Sequence, residues 1–385
     1  MAGGTREILV LNAGSSSLKL GLFDWETDEQ LADKGVDWSH GNEAGVSTHS
    51  AALRHLLEEY DLGPVAAVGH RVVHGGTRYR QAVRIDADVK AAIAELARLA
   101  PLHNPAALQG IEAVEDLLPG VPQVAAFDTA FHSTMPPTGY LYAVPWQWTE
   151  EWGIRRFGFH GLSHAYCSGR ALEMLQRPAP GSRIVTCHLG NGCSLAAVQD
   201  GRSVATTMGF TPLEGLMMGT RSGSVDPGLL IHLLAHNYVD VPGLDQALNH
   251  ESGLKGVSGL SGDMRDIQAA VGRGDARAQQ AFALYNARIR EGIAAMVAAM
   301  NGVDALVFTA GVGEHSAEVR GAVAGALGWM GVVLDEAANA AAHPDTDLAT
   351  ADSRVRLLVI HTREELVVAR DTRRVLQAGP ATKEP

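Results

Sequence analysis

The hydrophobic pattern of the chain contains one distinctive unit, an apolar run broken by a short polar turn, and this unit occurs twice. Residues 8–24 read I-L-V-L-N-A-G-S-S-S-L-K-L-G-L-F-D, and residues 184–200 read I-V-T-C-H-L-G-N-G-C-S-L-A-A-V-Q-D. Each pattern predicts a buried strand, a glycine-containing turn and a second strand. Gly14 matches Gly190, and the second turn holds one extra residue. Two similar hairpins half a chain apart predict two related domains, with a phosphate chain held between the two turns.

The remaining apolar segments alternate between helical and strand spacing. We expect helices over 50–60, 86–99, 104–118, 228–236, 276–301, 317–327 and 364–376. We expect strands over 66–73, 123–127 and 305–309, three more within 183–208, and a last one over 356–360. The strand over 305–309 is expected to lead into a Gly-rich turn, A-G-V-G-E. Asn104 followed by Pro105 is typical of a helix N-cap and first helical position. Strands that alternate with helices predict an α/β fold.

The composition limits the class of protein. A chain of 385 residues with 46% apolar and 19% charged residues fits a globular protein of two or three domains. No apolar run approaches the roughly 20 residues that cross a bilayer, and the first residues lack the apolar segment of a signal peptide, so we expect a cytoplasmic protein. The net charge of −12, without a Lys/Arg cluster, argues against nucleic acid or an anionic membrane as partner. Three cysteines without C-x-x-C spacing predict reduced core residues.

The first hairpin has the residue types that handle phosphate. Gly14 allows a tight turn, Ser15 to Ser17 supply hydroxyl and amide groups, and Lys19 adds a positive charge. The Walker pattern G-x-x-x-x-G-K-[ST] and the dinucleotide pattern G-x-G-x-x-G are both absent. The segment taken alone fits an ordinary serine-rich hairpin equally well.

Five polar segments are predicted to follow apolar strands, where α/β proteins place their sites. They are 70–76, 127–132, 157–164, 218–227 and 309–315. Arg71 and Arg221 stand among glycines and apolar residues, where a guanidinium group needs an anion. A structural salt bridge is an alternative for either arginine alone, whereas the pair beside phosphate-type turns favours an anionic ligand.

Other polar residues in these segments are candidates for chemistry. His160 and His164 form H-x-x-x-H, but the acid of the zinc motif H-E-x-x-H is missing. We interpret His160 as a hydrogen-bond donor to a transferring group and His164 as its support. Asp128 is either a helix-capping residue or an active-site carboxylate. Asn12 and Glu364 follow the first and last predicted strands, and their oxygens, together with phosphate oxygens, suit Mg²⁺.

These segments together resemble the acetate and propionate kinase family along nearly the whole chain. The matching segments are L-N-A-G-S-S-S-L-K, G-H-R-V-V-H-G-G, F-D-T-A-F-H, H-L-G-N-G-C-S, G-F-T-P-L-E-G-L-M-M-G-T-R-S-G and F-T-A-G-V-G-E. The resemblance implies two duplicated ribonuclease H-like domains of the actin, hexokinase and Hsp70 type, with the active site in the cleft between them. It also implies a homodimer and the reversible reaction of ATP with acetate, which gives ADP and acetyl phosphate.

The resemblance further implies roles for individual residues. Asn12 and Glu364 would hold Mg²⁺ or Mn²⁺, and Ser15, Ser17 and Lys19 would line the phosphate path. Arg71 and Arg221 would orient the acetate carboxylate and neutralise the phosphoryl group, His160 would donate to it, and Asp128 matches an essential aspartate. The nucleotide would be held by His188, Leu189, Gly190, Asn191, Gly192, Asp263, Met264, Arg265, Gly311, Val312, Gly313, Glu314 and His315. The pocket for the acetate methyl group would be formed by Val73, Leu102, Phe159 and Pro212.

The family pattern also predicts the domain division and shows where this chain departs from it. An N-terminal domain is expected from 1–131 plus 366–385, and a nucleotide-binding and dimerisation domain from 132–365. Four residues differ from those usual in the family, namely Leu162, Ser224, His315 and Arg363. None is a catalytic residue, but His315 and Arg363 bear on nucleotide affinity and on the surroundings of Glu364.

The expected mechanism is direct in-line transfer, because a carboxylate needs no strong base to act as nucleophile. Two like unit charges ~4 Å apart repel by roughly 4 kcal/mol at an effective dielectric constant near 20, so several cationic groups are required. Mg²⁺, Lys19, Arg71, Arg221 and His160 would supply them. Propionate or butyrate kinase and a pyrophosphate-dependent enzyme are close alternatives, since one methylene changes specificity by only about 1 to 3 kcal/mol. An ATP-driven binding protein of the Hsp70 or actin type is the alternative from another class.

Overall fold

The chain forms two compact units in a computed structural model that describes residues 6–38, 46–59, 65–101 and 103–378. The first unit comprises residues 1–133 and 363–385, and the second comprises residues 134–362. The last helix of the chain therefore belongs to the first unit. The ligand-binding roles expected of the two domains stay predictions.

The regular elements are as follows. The strands are β1 (Glu7–Gly14), β2 (Ser17–Asp24), β3 (Gln30–Asp37), β4 (Val65–Val72), β5 (Val83–Arg84), β6 (Gln123–Phe127), β7 (Arg183–Leu189), β8 (Cys193–Gln199), β9 (Arg202–Thr206), β10 (Ala305–Thr309), β11 (Thr346–Asp347) and β12 (Arg356–Val359). The helices are α1 (His49–Glu58), α2 (Ala87–Glu95), α3 (Asn104–Leu117), α4 (Pro137–Tyr140), α5 (Trp146–Glu150), α6 (Gly161–Met174), α7 (Pro227–Ala235), α8 (Val241–His250), α9 (Gly253–Ser258), α10 (Met264–Gly272), α11 (Ala276–Ala299), α12 (Ala310–His315), α13 (Ala317–Ala324), α14 (Glu336–Ala340) and α15 (Glu364–Gln377). Short 3₁₀ turns span Leu96–Arg98, Ala130–Thr134 and Gly328–Met330.

The first unit is built on a six-stranded sheet of order β3-β2-β1-β4-β6-β5. β1, β2 and β3 are antiparallel, whereas β4 and β6 continue the sheet in parallel with β1. α15 packs against β1, β4 and β6. Its close approach requires Gly69 in β4, because a Cβ atom there would lie 2.7 Å from Val368 Cγ1. This packing places the start of α15 beside the ends of the parallel strands.

The second unit repeats the same topology with a sheet of order β11-β12-β10-β7-β8-β9. β7, β8 and β9 are antiparallel, and β10 and β12 run parallel to β7. The long helix α11 packs on β8, with Tyr285, Ile289 and Ile293 buried against the unit. Each sheet thus has three antiparallel strands on one side, two strands that continue it in parallel, and a short antiparallel strand, β5 or β11, at the far edge. The expected duplicated α/β fold is confirmed.

Three local expectations are wrong, each for a physical reason. Asn104 does not cap α3, since its side-chain amide is buried and bonds to the backbone N–H and C=O of His74, at 3.2 and 3.1 Å. The A-G-V-G-E segment forms helix α12 rather than an open turn. Segments 157–164 and 218–227 do not follow strands: the first leads into α6, and the second leads into α7 from the long connection after β9.

The model also bears on two expectations from composition. Cys167, Cys187 and Cys193 are buried and form no disulfide among the described residues, as predicted. Within the ranges that the structure describes, we find no helix that is both long and apolar enough to span a bilayer.

Candidate active site

The turn between β1 and β2 places four of the predicted site residues on one hairpin. Asn12 lies opposite Lys19 in the strand register, and Gly14 lies opposite Ser17. A Cβ atom at Gly14 would lie 2.5 Å from Ser17 Oγ, so a larger residue there would force the Ser17 hydroxyl to move. Ser15 and Lys19 are exposed. The hairpin therefore presents hydroxyl, amide and ammonium groups to solvent.

Backbone contacts fix this turn from the side. His49, the first residue of α1, has Nε2 2.8 Å from the carbonyl oxygen of Gly14, and the Trp38 N–H donates to the carbonyl oxygen of Ser16 at 2.9 Å. The Trp38 and His49 rings meet edge to face, with centroids 5.1 Å apart. These contacts hold the phosphate-type turn through its backbone carbonyl groups.

Arg71, Asp128 and Glu364 form an ion cluster in the first unit. Arg71 Nη2 lies 2.7 Å from Asp128 Oδ2, and Arg71 Nη1 lies 3.3 Å from Glu364 Oε2. Arg71 and Asp128 come from the carboxyl ends of the adjacent strands β4 and β6, and Glu364 begins α15. Burial alone would lower the pKa of Arg71, but the charges of Asp128 and Glu364 outweigh it and raise the pKa. One cation between two carboxylates leaves the cluster with a net negative charge.

This cluster bears on the alternatives for its members. The Asp128 carboxylate accepts hydrogen bonds from the Arg71 guanidinium. Arg71 makes salt bridges with Asp128 and Glu364, which was the structural alternative to an anionic ligand. Its positive charge is therefore already partly compensated. The oxygen donors of Asn12, Asp128 and Glu364 are of the type that holds Mg²⁺, which takes one or two carboxylates together with phosphate and water oxygens.

Arg221 in the second unit has a different environment. Its Nη1 donates to the carbonyl oxygen of Pro212 at 2.7 Å, and burial lowers its pKa. Among the residues that the structure describes, no carboxylate pairs with it. Its Nη2 lies 2.8 Å from the position that a Cβ atom would take on Gly192, and His160 Nε2 lies 3.3 Å from the same point. The Arg221 guanidinium and the His160 ring therefore both lie beside Gly192. This guanidinium lacks a carboxylate partner among the described residues.

His160, His164 and His188 form a compact group beneath this point. His160 precedes α6 in the left-handed conformation, with a φ of 55°. Its Nδ1 lies 2.9 Å from Ser194 Oγ, and His164 Nε2 lies 2.8 Å from the same oxygen. The His160 and His188 rings stack with centroids 4.1 Å apart. The predicted support of His160 by His164 therefore runs through a serine that the sequence analysis did not single out.

The predicted nucleotide segments around 188–192 and 311–315 lie together. β7 and β10 are parallel neighbours, and the Ala310 Cβ lies 3.5 Å from the position of a Cβ atom on Gly190. The Gly219 N–H donates to the carbonyl oxygen of Asn191 at 3.3 Å, which joins the Arg221 segment to the same turn. His315, at the end of α12, is exposed.

Glu314 holds α12 in place. Its carboxylate accepts hydrogen bonds from the Ala310 N–H at 2.9 Å and from His361 Nδ1 at 2.7 Å. Burial would raise the pKa of Glu314, but the contacts with His361 and with backbone N–H groups outweigh it and lower the pKa. Ala310 is held with a φ of 63°, which favours glycine. Glu314 is thus a buried anchor for the Gly-rich segment.

The remaining candidates differ in exposure. Asp263 caps α10 and pairs with the exposed Arg265 at 2.5 Å, while the Met264 side chain between them is buried in the core. Phe159 is also fully buried, whereas Val73 and Pro212 are half-buried. Leu102 lies outside the described residues.

The four departures from the family pattern have ordinary environments. Leu162 is buried in α6, and the Ser224 hydroxyl accepts a hydrogen bond from the Gly215 N–H at 3.1 Å. Arg363 precedes α15, is exposed, and makes no side-chain cap. None of these side chains takes the place of a residue in the Arg71 ion cluster or in the group of three histidines.

Sequence reasoning missed Thr186 and Ser194, which join the histidines. The signal was present in the strand pattern. Thr186 and His188 are two residues apart in β7, and Ser194 lies opposite His188 in β8, so all three face one side of the sheet. Polar residues at alternate positions of a buried strand need partners, and this indicated a polar group on that face.

Known proteins share the sequence and the fold of this chain. The profile of the "Acetokinase family" matches residues 7–370. A protein named acetate kinase from Nostoc punctiforme is 49% identical over 404 residues, covering 96% of this chain and 100% of the relative. The solved structure of Porphyromonas gingivalis acetate kinase matches with a TM-score of 0.90 and 40% identity, over 96% of this chain and 100% of that one. A propionate kinase from Francisella tularensis matches with a TM-score of 0.88 and 37% identity, over the same shares.

Proposed function

This chain belongs to the acetokinase family, and from that premise we propose that it transfers the γ-phosphoryl group of ATP to acetate, reversibly, giving ADP and acetyl phosphate. The family identity makes it a kinase. Acetate as the preferred acceptor, ATP as the donor and Mg²⁺ as the metal are the parts that we propose.

One observation carries the proposal. Arg221 is half-buried, has no carboxylate partner within the described part of the chain, and lies with His160 beside Gly192. A guanidinium group stays protonated in proteins and fits carboxylate or phosphate oxygens, so this arrangement calls for an anion from outside the chain. Both acetate and a transferring phosphoryl group meet that requirement.

The ion cluster of the first unit supports a metal-dependent reaction. Asn12, Asp128 and Glu364 offer oxygen donors, and the cluster keeps a net negative charge after pairing with Arg71. We assign Mg²⁺ to Asn12 and Glu364, with Mn²⁺ as a substitute. When bound, the ion neutralises phosphate oxygens.

In the proposed reaction an acetate oxygen attacks the γ-phosphorus, and the bond to the oxygen that bridges the β- and γ-phosphates breaks as ADP leaves. Arg221 orients acetate and offsets its repulsion from the phosphoryl group, and His160 donates a hydrogen bond to that group. Asp128 holds Arg71 in position through two hydrogen-bonding nitrogens, and this role favours direct transfer over a phosphorylated aspartate. Ser15, Ser17 and Lys19 line the phosphate path.

The nucleotide is assigned to the segments that gather around Gly190. His188 to Gly192 and Gly311 to His315 form this set, with Asp263 to Arg265 at the start of α10. Backbone N–H groups near glycines suit phosphate, because no side chain obstructs their approach.

We assign the acetate methyl group to Val73, Leu102, Phe159 and Pro212. The structural similarity to a propionate kinase keeps propionate as the second candidate acceptor. A methyl pocket distinguishes acetate from propionate by one methylene only, about 1 to 3 kcal/mol.

A homodimer is also part of the proposal. The apolar face of α11 is buried within its own unit, so it is not the surface that we assign to the partner. Large apolar side chains around α7 are exposed instead, including Ile231 at 67%, Tyr238 at 71% and Val241 at 68%. Such a cluster favours contact with a second copy.

The test is a panel of donors and acceptors with the purified chain. Phosphoryl transfer would be measured from ATP, GTP and pyrophosphate to acetate, propionate and butyrate, with Mg²⁺ or Mn²⁺. We expect the highest kcat/KM for ATP with acetate. A higher value for propionate, or activity with pyrophosphate alone, would overturn the corresponding part of the proposal.

A further inference from the structure

Two buried hydroxyl groups bridge the histidines of the second unit in one continuous chain of hydrogen bonds. Thr186 Oγ1 lies 2.7 Å from His164 Nδ1, His164 Nε2 lies 2.8 Å from Ser194 Oγ, and Ser194 Oγ lies 2.9 Å from His160 Nδ1. Thr186, His164 and Ser194 are each fully buried, so water does not compete for these bonds. This series of hydrogen bonds ends at His160, which faces Gly192 beside Arg221.

The donor and the acceptor in each of these hydrogen bonds follow from the number of hydrogens available. A hydroxyl group has one hydrogen to donate, and a neutral imidazole has one donor and one acceptor nitrogen. The one side-chain contact of the Thr186 hydroxyl within the described residues is with His164 Nδ1. Its hydrogen therefore goes to that nitrogen, which makes Nδ1 the acceptor and places the His164 proton on Nε2.

The same count fixes the next two bonds. His164 Nε2 donates to Ser194 Oγ, so the Ser194 hydrogen is left for its other neighbour, His160 Nδ1. His160 then accepts at Nδ1 and carries its proton on Nε2. Its Nε2 is the atom that lies 3.3 Å from the Cβ position of Gly192.

A neighbouring contact favours the neutral state of His160. Its ring stacks on the ring of His188, with an interplanar angle of 21°. Positive charges on two stacked rings would repel each other. His188 Nδ1 in turn lies 2.8 Å from the hydroxyl of Ser163, which can donate to it in the same way.

We infer that Thr186, His164 and Ser194 are positioning residues that hold His160 as the neutral Nε2–H tautomer, with this hydrogen directed at the transferring phosphoryl group. The inference rests on the proposed function for the identity of that group, but the tautomer itself does not depend on it. It replaces the expectation of His160 as one of several cations with that of a neutral donor. Arg221 and Arg71 then supply the positive charge among the described side chains of the two clusters.

The tautomer can be read directly by long-range ¹⁵N–¹H spectra of the full chain with ¹⁵N-labelled histidine at pH 7.5. His160 and His164 would be assigned with His160→Gln and His164→Gln. We expect an acceptor-type Nδ1 and a protonated Nε2 for both residues. A protonated Nδ1 at either histidine overturns the inference.

Kinetic tests separate positioning from a merely structural role. We expect Thr186→Val and Ser194→Ala to lower kcat by about 10-fold, as for loss of a group that orients a ligand through another residue, with little change in KM for ATP. Thr186→Ser keeps the hydroxyl and should restore kcat. Ser168→Ala is the matched control, because the Ser168 hydroxyl is buried in the same unit but bonds to the Ala165 carbonyl oxygen.

The outcomes distinguish the inference from the proposed function. Wild-type turnover in folded Thr186→Val and Ser194→Ala, with unchanged melting temperature, overturns the proposed positioning role of these hydroxyl groups. If either variant fails to fold, the wild-type spectra still decide the tautomer. Wild-type turnover in His160→Gln would instead contradict the proposed role of His160, whatever the tautomer.

Discussion

Arg71 and Asp128 form a bidentate ion pair across two adjacent parallel strands. Arg71 Nη2 lies 2.7 Å from Asp128 Oδ2, and Arg71 Nε lies 3.2 Å from each oxygen of the carboxylate. The Asp128 side chain is 1% exposed. A carboxylate bound in this way is oriented by the guanidinium and in turn fixes it, so the two residues act as one unit.

The first prediction concerns removal of one partner of this pair. Asp128→Ala leaves the half-buried Arg71 with Glu364 as its remaining close carboxylate, and we expect a loss of about 3 kcal/mol in the free energy of unfolding. Turnover should fall by ~10²-fold or more, because the guanidinium loses its orientation. Urea unfolding and steady-state kinetics check both values. Asp116→Ala, at an exposed position, is the control. Normal turnover in Asp128→Ala would exclude the aspartate from the site.

Arg221 should behave in the opposite way for stability. It has no carboxylate partner among the described residues, and burial lowers its pKa, so the folded protein holds a charge at a cost. We expect Arg221→Met to change the free energy of unfolding by less than about 1 kcal/mol, since an apolar residue of similar size removes that cost. Turnover should still fall by ~10²-fold or more at saturating acetate. A strongly destabilised variant would point to a structural role for Arg221.

A third prediction concerns the acceptor. Val73→Ala removes methyl groups from a half-buried residue of the proposed pocket and should shift preference from acetate toward propionate and butyrate by ~10-fold. The ratio of kcat/KM values for the three acids is the measurement. Val83→Ala, on the short strand β5, provides a valine control. Equal ratios in wild type and Val73→Ala would remove Val73 from the pocket.

A fourth prediction follows from a buried histidine. His70 bonds through Nε2 to Gln123 Oε1 at 2.6 Å, and burial lowers the pKa of His70 to about 4. The unfolded chain therefore binds a proton near pH 6.5 that the folded chain binds only near pH 4. Stability falls as the pH falls through this window, and His70 contributes a loss of about 2 kcal/mol between pH 7 and pH 5.

The variant His70→Gln keeps a donor toward Gln123 but does not titrate. Urea unfolding at pH 7 and pH 5 should give it a smaller loss of stability than wild type, by the amount stated above. An equal loss in both proteins would contradict the lowered pKa. A larger loss in the variant would reverse the assigned sign.

The sequence was sufficient for the features that local patterns encode. The repeated hairpin around Gly14 and Gly190 predicted two sheets of the same topology, and the model has them. Alternating strands and helices predicted the α/β class. Buried strands such as Gln123–Phe127 and Ala305–Thr309 were located at their observed limits.

Long-range pairing was beyond local patterns. Glu364 contacts Arg71 because α15 packs on the sheet of the first unit, and no periodicity in the sequence predicts this packing. Asn104 was misjudged because its position before Pro105 matches a cap, whereas burial beside His74 gave its amide stronger partners. Thr186 and Ser194 were missed because each looks like an ordinary strand residue until the register of β7 and β8 is known.

Formation of acetyl phosphate by the purified chain, measured side by side in wild type and Arg221→Met, tests both the proposed reaction and the role of Arg221 in it. With Mg²⁺, ATP and saturating acetate, we expect wild type to form one acetyl phosphate for each ATP converted to ADP. Folded Arg221→Met should do so at about 1% of that rate or less. Failure of the wild type to form acetyl phosphate, or equal rates in the two proteins, would contradict the proposed role of Arg221 in phosphoryl transfer to acetate.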